Sequence, residues 1–278
     1  MAVLNDTEIE AFISDGFVCV REAIPAGIVS ECQNEIWQLI TESNPSIVRD
    51  DPETWTEPFI RIYGSDAPCM RAAANTERLT ATFDQLVGVG NWKPRTGIGT
   101  FPIRFPERPD MNSQEARADG YHIDGSWLVP EKDRHDIELQ KYPYGVNLSS
   151  DGRALLILFL FSDMETQADA PPIIKRGSHL DIARELADYE HEVVSGVRMV
   201  ERLDLARYET VHATGKAGDV YLLHPFTVHR GQLCVGDHPR ILAQPELPPA
   251  HTPAYNLHRT DEKYAPAEQA VLQGVQED

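Results

Sequence analysis

Cysteine is scarce in this chain, with four among 278 residues. Cys19, Cys32, Cys69 and Cys234 are scattered, without the close pairs of a zinc site or a disulfide framework. Free thiols in a reducing compartment are therefore expected. Basic residues are also few: 25 Lys and Arg against 44 Asp and Glu give a formal net charge of -19. A nucleic-acid partner calls for a basic face and an anionic membrane attracts one, so neither partner is expected. No stretch reaches the ~18 apolar residues of a membrane span. The segment Met1 to Phe12 lacks the basic start and apolar run of a secretion signal. A soluble, cytoplasmic protein is the expectation. Internal repeats, low-complexity tracts and linker-like segments are missing too. Hydrophobic residues at 41% supply a large core, and residues 1–278 are read as one domain. Nothing in the sequence bears on oligomeric state.

The patterns that are present divide the chain in two. Residues 1–90 read mainly as helix. Asp6-Thr7 precedes Ile9, Phe12 and Ile13 at helical spacing, and Gly16 stands where a C-terminal cap belongs. Phe17 to Val20 reads as a short strand. A helix after Pro25 aligns Ile28, Val29, Cys32, Ile36, Leu39 and Ile40, and another spans Thr76 to Val87, ended by Gly88. From about Ile98 short strands are predicted: Ile98–Phe105, Gly120–Ile123, Ala154–Phe161, Pro172–Ile174, Asp219–Leu223 and Arg240–Gln244. The run from Ala154 to Phe161 is apolar throughout, as in a strand buried on both faces. The polar stretch from Ser178 to Tyr208 reads as helix and loop. The whole suggests a mainly β fold with helical support, a sandwich or barrel over about residues 97–245.

His122-Ile123-Asp124 carries the most chemistry. In an extended strand residues two apart share a face, so His122 and Asp124 point the same way. Two histidines and a carboxylate on one face of a metal, with other positions open, suit non-haem Fe(II) and O2 chemistry. Two downstream histidines compete for the third place, His224 before Pro225 and His229 two residues before Gly231; spacing alone does not choose. A second triplet, His179-Leu180-Asp181, follows Gly177-Ser178 and opens a charged helical stretch, where Asp181 reads as a helix-start residue. Gly125 allows a turn, and Trp127 could wall a pocket. Arg240, eleven residues after His229, reads either as a strand-edge charge or as a bidentate grip on a carboxylate.

Taken together these pieces resemble the phytanoyl-CoA dioxygenase family of Fe(II)- and 2-oxoglutarate-dependent oxygenases. The resemblance runs from about Thr7 to Pro245. It rests on Phe12…Asp15-Gly16-Phe17-Val18, His122-Ile123-Asp124-Gly125-Ser126-Trp127, Ile173…Gly177-Ser178-His179 and Gly218-Asp219…His224-Pro225…His229…Arg240. It implies a double-stranded β-helix, a jelly-roll barrel of the cupin kind. Fe(II) would be held by His122, Asp124 and His229, with 2-oxoglutarate and O2 as co-substrates and Arg240 on the distal carboxylate. It also implies that His179 is a loop residue near the site. Departures fall at Gly231, where the family often has Ser or Thr, at Cys234, where Asn is common, and at Asp169-Ala170-Pro171, where Asn-Gly-Pro is usual. Arg104 is a candidate for the other end of 2-oxoglutarate, with a surface role equally open.

The activity implied is oxidation of an unactivated C–H of a small metabolite, with release of succinate and CO2. Related halogenases lack the carboxylate, so Asp124 favours hydroxylation. Trp127, Trp55 and Phe59 are candidates to line a substrate pocket, and Arg61, Lys175 and Arg176 to meet an acidic group, against core packing and solvation as the bland alternatives. Two rivals stand beside this reading. One is a divalent-metal hydrolase or isomerase on the same barrel; the other is a binding protein of that fold without turnover.

Overall fold

The computed structural model of the chain describes residues 2–108, 120–124, 127–135, 137–141, 143–189, 192–261 and 263–276. Gly125 and Ser126, part of the motif that follows Asp124, lie outside those residues.

The N-terminal part obeys its local punctuation. In helix α1 (Asp6–Asp15) the Glu8 amide donates to the Asn5 side chain and the Asn5 amide donates to the Glu8 carboxylate. This reciprocal cap satisfies two amides that no helical carbonyl can reach. The helix stops at Gly16, whose φ of 85° glycine adopts without steric cost. Space demands glycine there as well, since a Cβ would lie 2.5 Å from His179 Nδ1. Strand β1 (Phe17–Val20) follows, then α2 (Ala26–Ser43), with Val29, Cys32, Ile36 and Ile40 on its buried face. The short β2 (Phe59–Ile62) and α3 (Pro68–Ala74) have no counterpart in the sequence reading. Helix α4 (Glu77–Val87) begins with the Thr76 hydroxyl accepting from the Leu79 amide and ends before Gly88.

The second part is built of short pieces. They are β3 (Phe101–Arg104), β4 (Trp127–Leu128), α5 (Ile137–Lys141), β5 (Tyr144–Val146), β6 (Leu155–Leu160), β7 (Ile173–Lys175) and α6 (Ser178–Ala187). After them come β8 (Val194–Ser195), α7 (Gly196–Glu201), β9 (Thr210–His212), β10 (Val220–Leu223), β11 (His229–Arg230), β12 (Leu242–Ala243), β13 (Glu246–Leu247) and α8 (Pro266–Gln276). Every ladder is antiparallel. β1, β10, β6 and β12 lie side by side with β13 also on β6; β11, β7 and β9 make a second sheet, β4, β5 and β8 a third, and β2 pairs with β3.

Strand β6 organises the core. Its Leu155, Ile157 and Phe159 join the cluster that holds Val29, Ile36 and Leu86 from the helices. Its Leu156, Leu158 and Leu160 join Ile174, Tyr221, Leu223 and Leu242 in a second cluster between the two main sheets. A strand apolar at every position is thereby buried on both faces, and each leucine contributes roughly 2 kcal/mol of transfer free energy.

Three expectations need correction. The fold is mixed rather than mainly β: helices hold more of the described residues than strands do, and no closed barrel forms among them. The strands are too short to wrap around one, and proline interrupts them, as at Pro245 between β12 and β13, where no amide can donate. The predicted strand Gly120–Ile123 is reduced to a single bridge at His122. The stretch after Ser178 contains α6 and α7 as expected, with β8 in addition. No helix among the described residues is long and apolar enough to cross a membrane.

Candidate metal centre

His122 and His229 are joined by their backbones: each amide donates to the other's carbonyl at 3.0 Å. Their rings repeat one arrangement. His122 Nδ1 is 2.8 Å from the Gly120 carbonyl, and His229 Nδ1 is 3.0 Å from the Thr227 carbonyl, in each case two residues back. A carbonyl only accepts, so Nδ1 is the donor and a neutral ring keeps its lone pair on Nε2. Burial, with His122 beside it, lowers the His229 pKa to about 4, so this ring is neutral near pH 7.

Asp124 completes the group. Ile123 turns into the core, and Asp124 returns to the His122 side, its Oδ1 3.7 Å from His122 Nε2. One donor atom from each of His122, Asp124 and His229 lies within 4.8 Å of the others, and no other such group of three is found among the described residues. His229 Nε2 is buried and has no hydrogen-bond partner. An unsatisfied buried nitrogen is costly, and a divalent cation shared with His122 Nε2 and the carboxylate satisfies it. The donor set therefore fits a metal of the non-haem iron type. His224, the competing histidine, is packed against Phe12, Phe226 and Tyr255, away from the group.

The sequence reading did not reach Arg153. Its Nη1 lies 3.4 Å from Asp124 Oδ2. Burial opposes ionisation of Asp124, but Arg153, with His229, His122 and Arg61, outweighs it and holds the carboxyl below its usual range. Arg153 precedes the apolar run of β6, and nothing local marks its reach across 29 positions.

The two candidate arginines for a co-substrate are neighbours. Arg104 and Arg240 face each other in an antiparallel bridge, exchanging backbone hydrogen bonds of 3.1 and 2.8 Å, so their side chains leave the same face. Both are buried, which removes the surface role left open for Arg104. The pairing also argues against opposite ends of one small ligand. Arg240 donates to the Pro102 carbonyl at 2.8 Å, and Arg104 lies over the Phe59 ring. At Gly231 a Cβ would come within 2.9 Å of Arg104 Nη2, so a serine or threonine there would share space with the guanidinium and shift it. Gly231 is also two residues from His229, which sets this arginine beside the strand that carries the histidine. Cys234 is buried and donates to the His238 carbonyl, and Asp169 accepts from the Thr166 amide and hydroxyl, a local turn.

A cavity of about 460 Å³ opens beside His122 and Asp124, lined among others by Arg61, Thr100, Tyr144, Arg153, Ser195 and Gln244. Of the expected substrate residues it takes in Arg61. Trp127 sits on β4 against Gly145 and is not part of the lining. Arg176 is engaged by Asp15 at 2.6 Å and Glu209 at 3.0 Å, outside the cavity. Lys175 donates to Thr210 and lies over Tyr121, and Trp55 packs between Trp37 and Phe105. These positions answer to charge pairing and core packing. His179 is not a loop residue: it lies in the first turn of α6, fully buried against His224.

No family model and no curated protein matches the sequence, but solved structures match the fold. The epimerase SnoN, in complex with Fe3+, alpha ketoglutarate and nogalamycin RO, shares 18% identity over 86% of this chain and 81% of its own, with a TM-score of 0.57. HygX from Streptomyces hygroscopicus, with nickel and 2-oxoglutarate bound, shares 19% over 87% and 85%, at 0.54. EctD from S. alaskensis, with 2-oxoglutarate and 5-hydroxyectoine, shares 20% over 87% and 75%, at 0.53. The chain thus has the fold of these iron- and 2-oxoglutarate-dependent enzymes, although the closed barrel that the resemblance implied does not form among the described residues. At these identities the likeness defines the fold, and function must be argued from the site.

Proposed function

We propose that the protein is an Fe(II)- and 2-oxoglutarate-dependent oxygenase of a small-molecule substrate. His122, Asp124 and His229 would hold the metal, and Arg240 would receive the distal carboxylate of 2-oxoglutarate. The observation that carries this reading is the unpartnered, buried His229 Nε2 facing His122 and Asp124, with both Nδ1 atoms tied to backbone carbonyls. That arrangement orients two lone pairs before any metal arrives.

The chain's own residues have separable tasks. The Gly120 and Thr227 carbonyls fix the tautomer and tilt of the two rings. Arg153 orients Asp124 and keeps it ionised. Arg240, with Arg104 beside it, offers buried positive charge suited to a carboxylate. When bound, the metal with 2-oxoglutarate and O2 supplies the oxidising power for an unactivated C–H, with succinate and CO2 as co-products. Hydroxylation is the outcome we propose, because the carboxylate place in the triad is filled by Asp124. Neighbours of this fold include an epimerase and a carbocyclase, so where the substrate C–H is held decides the product.

Anaerobic addition of Fe(II) and then 2-oxoglutarate tests the reading. A weak visible charge-transfer band is expected, lost in Arg240→Ala at the same co-substrate concentration. Metal binding without a band, and no succinate formed in air, would instead indicate a divalent-metal hydrolase or isomerase.

A further inference from the structure

We infer that the cavity beside the triad takes a small anionic substrate, its carboxylate or phosphate group on Arg61 and a further acceptor atom on Ser195 Oγ. The inference rests on the metal reading above and names the substrate class for the same site.

The charges of the cavity are unevenly committed. Arg153 is held by Asp124, and Glu246, also in the lining, is paired with Arg95 at 3.1 Å. Arg61 has no carboxylate within ion-pair distance among the described residues; its guanidinium lies over the Phe59 ring, 5.6 Å from the centroid. In a chain of net charge -19, an exposed cation at the cavity wall, close enough to Asp124 to favour its charged form but in ion-pair contact with no carboxylate among the described residues, is the feature a bound anion would complete. It is also well placed: Arg61 sits in β2 with its backbone in register with Pro102 of β3, so the base of the side chain is fixed.

Ser195 is the second, independent observation. Its hydroxyl is buried, lines the cavity and has no hydrogen-bond partner. Buried hydroxyls are normally satisfied, and a ligand acceptor would satisfy this one. The β5–β8 register sets Ser195 opposite Gly145, next to Tyr144 at the cavity wall. Tyr144 is 57% exposed and faces Leu128, 58% exposed, across β4–β5. Of these two, Tyr144 belongs to the lining, and its ring offers an apolar face to a carbon skeleton whose charged end reaches Arg61. A volume of about 460 Å³ suits a metabolite-sized molecule. Arg104 and Arg240 do not line this cavity, so the 2-oxo acid and the substrate anion have separate cations.

The test uses protein loaded anaerobically with Fe(II) and saturating 2-oxoglutarate, titrated calorimetrically with 3-phenylpropionate, phenyl phosphate and the neutral 3-phenylpropionamide. One anion is expected to bind at least about tenfold more tightly than the amide, and which one does so separates carboxylate from phosphate. Arg61→Gln should erase that preference and Arg61→Lys keep part of it. Ser195→Ala should weaken the anion several-fold, with thermal melting confirming that each variant is folded. Equal binding of amide and anions, no binding of any probe, a preference that survives Arg61→Gln, or loss of the charge-transfer band on adding the anion would overturn the inference. A missing band before any probe is added, with the anion preference intact in the loaded or metal-free protein, would sink the oxygenase reading and leave the anion site standing.

Discussion

His122-Ile123-Asp124 and His179-Leu180-Asp181 have the same composition pattern and the same spacing. In the first, the chain is not helical and is bridged to His229 at His122, and Asp124 stands 3.7 Å from the ring it follows. In the second, the triplet opens α6, where two residues are separated by roughly 200° about the axis and diverge. His179 turns inward to His224 and donates from Nε2 to the Ile13 carbonyl, while Asp181 turns outward to Arg184, Arg207 and Tyr208. Both regions contain a buried ring nitrogen without a partner, His229 Nε2 and His179 Nδ1. Only the first gathers a second histidine and a carboxylate around it. Convergence of donors, rather than a lone unsatisfied atom, distinguishes a metal site from a packed core.

The largest expected difference is in metal affinity. Asp124→Ala should weaken Co(II) or Fe(II) binding on the order of 100-fold or more, since losing even outer-shell partners of a metal site costs 10–100-fold. His179→Gln should leave it within about twofold. Equilibrium dialysis of the two variants decides this, and tight binding retained in Asp124→Ala would break the comparison at its first member.

Acid stability should report the buried histidines of both regions, since the His229 pKa is lowered to about 4 as well, and a His179 variant isolates the second. Burial lowers the His179 pKa to about 4 and the His224 pKa well below 6.5, so both rings fold neutral. Above pH 6.5 folded and unfolded chains are alike at these groups. Below it the unfolded chain takes up protons that the folded chain refuses, so stability falls as pH drops toward 4. The His179 share is about 2 kcal/mol between pH 7 and 5. Urea melts of metal-free protein should show this loss, with His179→Gln flattening the profile; an unchanged pH dependence in that variant would contradict the buried, neutral ring.

The smallest effect belongs to the outward carboxylate. Asp181→Asn should cost ~1 kcal/mol, as expected for partly exposed ion pairs, with no change in metal affinity. A larger loss would mean that Asp181 supports the core beneath it and not merely the surface of α6.

Local features were legible where a few neighbouring residues decide the structure. The C-terminal limit of α1 followed from Gly16, while its start is capped by Asn5 rather than marked by Asp6-Thr7, and the double-sided burial of β6 followed from an unbroken apolar run. The brief strands β2, β4, β5, β8, β9 and β13 were missed, whereas β1 and β10, no longer than β2, were read because each is a four-residue apolar run. The resemblance named three donors, and the structure brings those three together; it also named His179 as a loop neighbour of the site, where the structure has a helix-start residue in the core.

By itself the sequence determined the ends of the first helices, the apolar run of the central strand and the presence of a His-x-Asp unit in each of two places. Each of these depends on residues within one or two turns of chain, where spacing maps directly onto direction. The tertiary structure decided the rest. It gathered His229 and not His224, placed Arg153 on Asp124 and Arg104 beside Arg240, and left Ser195 and Arg61 facing the same cavity. Those choices depend on which strands pair and in which register, and register is fixed by packing of the whole core rather than by any local pattern.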